Sequence, residues 1–362
     1  MKRSRRPLVL TLLACFALGV SACRTPPSGP SSGVTPEVAA ADRRDRARQA
    51  VIQTAADPEP QLRMRAVEVA RHLGEGAVPL VTAAVGDAHP AVRYAAWVTA
   101  GRLKITGLAA AARAAAQDPS ETDYVRAAAA FSATQIGAAP VAASDGAEDP
   151  AGTSPSDLGP VASLLWSDRA GMRANAALLL GESGVATARP MLRDAANRPP
   201  PRASAVDQAL LDLQIREALV KLGDEDQLKP IRLAAYSKDD QVRLLAVEML
   251  GRLGDRTMEG ALMSFLDQDP QELRLAAARA LADLGWPDGL PAALDGAASQ
   301  LDRIRGQAAL AVGRAALAIP TTDTPRDEQA RDAACAALDR LMMDPAPSVR
   351  LSAAAAVLEP AH

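Results

Sequence analysis

The chain has 362 residues, a formal net charge of −3, 48% hydrophobic residues and only 2% aromatic residues. The cores of β-proteins are rich in valine, isoleucine and aromatic side chains. Here much of the apolar content is alanine and leucine, which are strong helix formers and let helices pack closely. The composition therefore predicts an all-α fold. The negative charge argues against a nucleic-acid partner, because such proteins present a basic field to the phosphates.

The first 23 residues predict export. Met1–Arg6 is basic, Leu8–Val20 is a mostly apolar run of 13 residues, and Val20-Ser21-Ala22-Cys23 closes the segment. This order is typical of a secretory signal, and the run is shorter than the roughly 20 residues that a membrane-spanning helix needs. We expect residues 1–22 to be removed. They hold four positive charges and no negative one, so the remaining side chains would total −7, which is −3 less 4.

The four residues ending at Cys23 resemble the lipobox of bacterial lipoproteins, with Val20 in place of the usual leucine. The resemblance implies that Cys23 becomes the acylated N-terminus and that its lipid, palmitate among the acyl chains, anchors the protein in the cell envelope. Arg24 stands where an aspartate would favour inner-membrane retention. The resemblance therefore implies the outer membrane, with the protein facing the periplasm or the surface.

Two alternatives stay open for this segment. Cys23 is incidental if the signal is an ordinary cleaved one. The export route is also open, because Ser4-Arg5-Arg6 begins like a twin-arginine signal while the leucine-rich run suits general secretion equally well. After Cys23, proline, serine and glycine dominate residues 25–33, so they cannot bury much apolar surface. We expect residues 23–40 to form an extended tether.

The rest of the chain contains an internal repeat. An acidic residue, often a proline, and an apolar residue precede an arginine, with alanine three residues later and often glycine eight or eleven later. The arginines recur about every 31 residues, with insertions, which indicates a repeat array; they are Arg63, Arg93, Arg126, Arg173, Arg243, Arg274, Arg305 and Arg350, and Asp212 takes their place in a degenerate copy. Each copy has room for two helices, with proline and the acidic residue at the start of the second and glycine at its end.

These features resemble HEAT repeats, especially the short HEAT-like variety of phycobilin lyases. The resemblance implies an α-α superhelix, a HEAT-like solenoid of about nine repeats, over residues 41–361. Within it, residues 138–160 are rich in Ala, Gly, Pro, Ser and Asp, and they predict a disordered insertion. The resemblance says little about function, because such repeats serve many roles.

A helical wheel divides the second helix of each copy into two faces, counted from the arginine or its equivalent. The +3 position is alanine in eight copies and Ile215 in the ninth, and we expect it to be core. The +9 position is polar in all nine copies. In HEAT arrays the second helices line the concave surface, so this stripe and its neighbours are the predicted partner-binding face; its residues are His72, Arg102, Gln135, Glu182, Lys221, Arg252, Asp283, Arg314, Glu68, Glu217, Glu248 and Arg279.

The mixed charges of this face favour a protein partner over a polyanion. The predicted function is therefore a lipid-anchored envelope scaffold or adapter that binds protein through its concave face. An exposed polar surface with no specific partner, and a purely structural spacer, are the alternatives.

No catalytic signature points to an enzyme. The sequence has no G-x-S-x-G element, no P-loop and no dinucleotide-binding glycine motif after a strand. HEAT-repeat di-iron hydroxylases carry His-Glu pairs, whereas His72, His89 and His362 are the only histidines and none precedes a glutamate. We expect no catalysis, no metal and no cofactor. The resemblance to phycobilin lyases leaves one alternative, the handling of a chromophore or cofactor.

Overall fold

The computed structural model of the chain describes residues 36–137, 158–321 and 324–360. The predicted signal, the lipid-attachment residue Cys23, residues 24–35 of the tether, most of the predicted insertion and His362 lie outside the described residues. The described part is helical and contains no β-strand. No helix within it is both long and apolar enough to cross a membrane.

Nine helix pairs follow one another along the described chain, and the second helix of each pair contains one of the nine anchoring positions. The first helices are α1 Pro36–Thr54, α3 Ala77–Ala84, α5 Ala109–Gln117, α7 Gly159–Leu164, α9 Arg189–Ala196, α11 Leu228–Ala234, α13 Glu259–Phe265, α15 Leu290–Ala297 and α17 Pro325–Leu341. The second helices are α2 Pro60–Val69, α4 Pro90–Arg102, α6 Asp123–Gly137, α8 Ala170–Ser183, α10 Ala205–Lys221, α12 Asp240–Arg252, α14 Gln271–Asp283, α16 Asp302–Ala318 and α18 Pro347–Leu358.

The pairs stack side by side and close into a ring. Each second helix packs on the second helix of the next pair from α2 to α18, and α18 then packs on α1 and α2. At this junction Arg43 donates to both carboxylate oxygens of Asp339, at 3.1 and 2.8 Å, while Ala47 and Val51 of α1 are fully buried. The second helices form the inner wall of the ring and the first helices form the outer wall. The repeat pattern had predicted a curved array, but not its closure.

The +3 positions are core, as predicted. All nine are fully buried, namely Ala66, Ala96, Ala129, Ala176, Ile215, Ala246, Ala277, Ala308 and Ala353. Alanine suits this position because its small side chain lets neighbouring helices approach closely. The inner helices therefore pack on one another through small side chains at this position.

The two glycine positions of the repeat have different roles. Glycine at +8 lies inside the inner helix and faces the backbone of the next one, so that a Cβ on Gly251 would stand 2.5 Å from the Cα atom of Ala280. Glycine at +11 ends the helix in the left-handed region, as at Gly254, with a φ of 71°. In the second repeat Lys104 takes the +11 position with a φ of 51°. Only the +11 glycine acts as the expected helix terminator.

Five of the anchoring arginines donate to carbonyl oxygens of the turn in their own repeat, namely Arg63, Arg93, Arg173, Arg305 and Arg350. Arg93 Nη1 donates to the carbonyl oxygens of Asp87 and Ala88, at 2.8 and 3.1 Å. Its Nε and Nη2 atoms donate to the two carboxylate oxygens of Glu121 in the next repeat, both at 2.7 Å. Arg63 and Arg305 repeat this arrangement with Asp87 and Asp344. Because their donors are occupied in this way, these arginines have a structural role.

Two predicted boundaries are wrong by a few residues. Helix α1 begins at Pro36, so residues 36–40 are helical and do not belong to the tether. At the end of the predicted insertion, Leu158 is only 2% exposed and α7 begins at Gly159. A composition averaged over a window cannot locate the single apolar residue at which packing resumes, which explains the second error.

Candidate functional site

The twelve residues of the predicted partner-binding face all lie on the inner helices or on the 3₁₀ turn Ala70–His72 that extends α2. The ring therefore places them around the space that the inner helices enclose, which we call the lumen. Most of them are half-buried, and Glu217 is only 6% exposed. The closed lumen replaces the open groove that the sequence predicted. Contact of these residues with a partner stays a prediction.

Charged +9 residues of different repeats bind one another inside the lumen. Arg102 of α4 donates to both carboxylate oxygens of Glu182 in α8, at 2.6 and 2.8 Å, although α6 lies between them along the chain. Burial opposes the charge of Arg102, but the hydrogen bond to Glu182 and the charges of Glu182 and Glu68 together outweigh burial and raise the arginine pKa. Arg314 pairs with Asp283 at 3.1 Å and with Glu359 at 2.8 Å. The stripe is therefore largely neutralised from within.

A second group of charges surrounds Glu217 on α10. Its carboxylate accepts from Arg252 Nε at 3.1 Å and lies 3.4 Å from the Lys221 ammonium. Burial alone would raise the Glu217 pKa, but the charges of Arg252 and Lys221 outweigh it and lower the pKa. Glu248 lies 3.6 Å from Arg252. Glu217 is thus a buried anion held by two cations, and its role is to position them.

A cavity of about 160 Å³ lies beside this group, between α8, α10 and α12; we call it the α8–α12 cavity. It combines polar and apolar side chains, which are Asn175, Gln214, Glu217, Lys221 and Arg252 with Ala174, Leu178, Ala218, Leu245 and Met249. Surfaces that bind protein segments commonly mix polar and apolar groups in this way.

A larger cavity of about 290 Å³ lies where α2, α4, α14, α16 and α18 meet; we call it the α2–α14 cavity. Its polar lining consists of Arg65, Arg71, His72, Arg102, Arg279, Ser352, Glu68 and Glu359. Leu310, Leu351 and Ala355 form an apolar wall beside them. Four of the twelve predicted residues therefore meet in this cavity, from three different repeats.

The electrostatic environment of this cavity favours the neutral form of His72 and lowers the pKa of Arg71. Burial, with the positive charges of Arg71 and Arg314, lowers the pKa of His72 to about 4. His72 Nε2 accepts a hydrogen bond from Arg71 Nε at 2.9 Å, as a neutral ring can. Burial and the nearby Arg102 lower the pKa of Arg71. Arg71 is therefore a cation in a site that disfavours positive charge.

The remaining predicted residue, Gln135, donates from Nε2 to the carbonyl oxygen of Ser183 at 3.2 Å and lines neither cavity. Arg71 was not among the predicted residues, although it lines the larger cavity. A signal for it was present, because Arg71 is the +8 residue of its repeat and stands where Gly101, Gly181, Gly251 and Gly313 stand in others. A large cation at a position used for close helix packing indicates an opening in the wall.

Within residues 36–137, 158–321 and 324–360, no three His, Cys, Asp or Glu side chains are placed to hold a metal ion. The two cavities are thus described by their charged and apolar side chains alone.

Comparison with known proteins gives the following matches. A family model described as HEAT repeats matches residues 42–134 and 228–313. None of the curated proteins compared with the chain matches it. A similar solved structure is the complex of CpcE and CpcF of phycocyanin lyase from Nostoc sp. PCC7120, with 16% identity, a TM-score of 0.41, and 71% of this chain and 93% of that chain covered.

Human deoxyhypusine hydroxylase in complex with glycerol is similar at 17% identity and a TM-score of 0.33, covering 88% of this chain and 97% of that chain. An engineered protein is similar at 20% identity and a TM-score of 0.34, covering 54% of this chain and 93% of that chain. The family match covers most of helices α1–α6 and helices α11–α16. The chain is an all-α protein built of HEAT-like repeats.

Proposed function

We propose that the protein is a non-catalytic scaffold of the cell envelope, anchored by a lipid on Cys23, that binds an extended segment of a protein partner along the inner helices. The observation that supports this proposal is the α8–α12 cavity. Its wall offers an amide pair and charges of both signs beside leucine and methionine side chains. An extended peptide turns every second side chain toward such a surface, where polar and apolar groups both find a partner.

The small volume of the cavity limits what it can receive. At about 160 Å³ it has room for a single side chain and not for a folded domain. The partner segment would therefore be unstructured where it enters the lumen, and its affinity would be reduced by the entropy lost on ordering. A scaffold that holds such segments reversibly suits an anchored envelope protein.

A site-specific photocrosslinker tests the inner surface. When the crosslinker replaces Asn175 and the protein is in its membrane, we expect it to capture a defined protein. The same probe at Arg113 on the outer helix α5 should not capture that protein. The variant Gln214→Trp fills the α8–α12 cavity and should abolish capture while leaving the helical circular dichroism unchanged. Equal capture from Arg113, or capture that persists in the Gln214→Trp protein, would contradict the proposal.

The anchor is tested separately. Replacing Cys23 with serine should abolish incorporation of labelled fatty acid and release the protein from the membrane fraction. Labelling that survives the Cys23→Ser change would show that the lipid is attached elsewhere, and a wild-type protein that takes up no label would show that it carries none. The alternative function, the handling of a chromophore or cofactor, stays a prediction.

A further inference from the structure

The α2–α14 cavity contains three arginines that form no close ion pair with an acidic side chain of the described residues. Arg65, Arg71 and Arg279 line it, and none of them lies within 4 Å of an acidic oxygen in the described part of the chain. Arg102 and Glu359 line it as well, but these two are already paired with Glu182 and Arg314. Because Glu359 is paired, Glu68 is left as the carboxylate beside these three arginines in the lining.

These three arginines come from opposite ends of the chain. Arg65 and Arg71 belong to the first repeat, while Arg279 lies on α14 in the seventh. The ring brings them to one cavity only because the last repeat packs against the first. Burial and the like charge of Arg102 lower the pKa of Arg71, so its charged form is costly here, and a ligand of opposite charge would relieve that cost.

We propose that the α2–α14 cavity binds a small organic molecule that carries a phosphate or carboxylate group. Arginine is suited to such oxyanions because its planar fork donates two parallel hydrogen bonds to them. Leu310, Leu351 and Ala355 would pack against the organic part of the molecule. The volume of about 290 Å³ is at the small end of the range for ligand pockets, which spans roughly 300–1,000 Å³.

Solvent reaches the arginines that would make the first contact. Arg65 and Arg71 are exposed and Arg279 is half-buried, whereas Leu351 and Ser352 behind them are buried. Arg65 Nη2 lies 3.5 Å from Ser352 Oγ, so that hydroxyl is placed beside the cations. Glu68 opposes an anion at the same wall, although desolvation raises its pKa. This proposal is independent of the lipid anchor and of the α8–α12 cavity.

Calorimetric titration of the full-length chain tests the proposal with three probes: inorganic phosphate, phenyl phosphate and benzoate. We expect saturable binding at one site per chain, with phenyl phosphate tighter than inorganic phosphate because of the apolar wall. Tighter binding of phenyl phosphate than of benzoate would identify a phosphate-bearing ligand, and the reverse order would identify a carboxylate. Absence of saturable binding by all three up to about 10 mM would overturn the proposal.

Matched variants locate the site. Arg279→Gln and Arg71→Gln should each weaken binding about tenfold, as expected for loss of a charged hydrogen bond. Arg113→Gln makes the same change on the exposed face of α5 and should leave the affinity unchanged. Glu68→Gln removes the opposing charge and should tighten binding severalfold, a result that misfolding could not produce. Equal weakening by Arg113→Gln, or unchanged affinity in Glu68→Gln and Arg279→Gln, would place the anion outside this cavity.

Discussion

The close approach of neighbouring inner helices predicts that a side chain at Gly251 destabilises the protein. A Cβ atom added there would lie 2.5 Å from the Cα atom and 2.8 Å from the Cβ atom of Ala280. Carbon atoms in contact normally stand about 3.5–4.0 Å apart, so α14 would have to move by roughly 1 Å. The nearest atom belongs to the backbone, and no side-chain rotation can relieve the overlap.

The magnitude of the effect follows from two opposing contributions. Overpacking of this kind costs about 1–3 kcal/mol and occasionally more. The high end applies here because α14 also packs on α16, so a shift is carried into the next repeat. Alanine is favoured over glycine within a helix by about 1 kcal/mol. We therefore expect Gly251→Ala to lower the free energy of unfolding by about 2 kcal/mol.

Urea unfolding followed by circular dichroism measures the change, and hydrogen exchange shows where it acts. Protection should fall in α12 and α14 and stay unchanged in α6. Gly254→Ala, with a φ of 71° and open space around it, should cost about 1–2 kcal/mol from backbone strain alone.

Gly260→Ala is the matched control, because it lies in α13 with nothing within 4 Å of the added Cβ. It should be neutral or stabilising by up to about 1 kcal/mol. If Gly251→Ala proves as stable as Gly260→Ala, the inner helices are not packed backbone against backbone.

Three further changes test the ion pair between Arg305 and Asp344, the left-handed helix end at Lys104 and the closure of the ring. The hydrogen bond from Arg305 lowers the pKa of Asp344. This carboxylate therefore contributes its full stability above about pH 4, and the contribution is lost as the pH falls through the folded pKa. The urea midpoint of the protein should drop in acid, and the Asp344→Asn variant should show a lower midpoint at pH 7 and a shallower drop. Lys104→Gly removes a left-handed backbone strain of about 1–2 kcal/mol and adds a glycine entropy cost of about 0.5–1 kcal/mol. The urea unfolding midpoint should therefore rise slightly, and a fall in that midpoint would contradict this account. Asp339→Ala deprives Arg43 of its partner at the junction that closes the ring. Amide hydrogen exchange in α1 should then accelerate, while exchange in α8 stays unchanged. Unaltered exchange in α1 would show that apolar packing alone closes the ring.

The local organisation of the chain could be predicted from the sequence, because it depends on residues close together in the chain. The spacing of about 31 residues located all nine inner helices, and the helical period placed nine core residues and the polar stripe on their faces. The separate roles of Gly251 and Gly254 did not follow, because only one of the two faces a neighbouring backbone.

Closure of the ring could not be predicted, and the candidate site depends on it. Whether nine stacked pairs meet again is decided by the small rotation between each pair and the next, summed over all repeats, and no single repeat records that sum. The closed ring brings Arg71 and Arg279 to one cavity, and the curvature of the inner wall brings Arg102 to Glu182 across α6. The sequence by itself determined which side chains face inward, and the tertiary structure decided which of them neutralise one another and which remain available to a ligand.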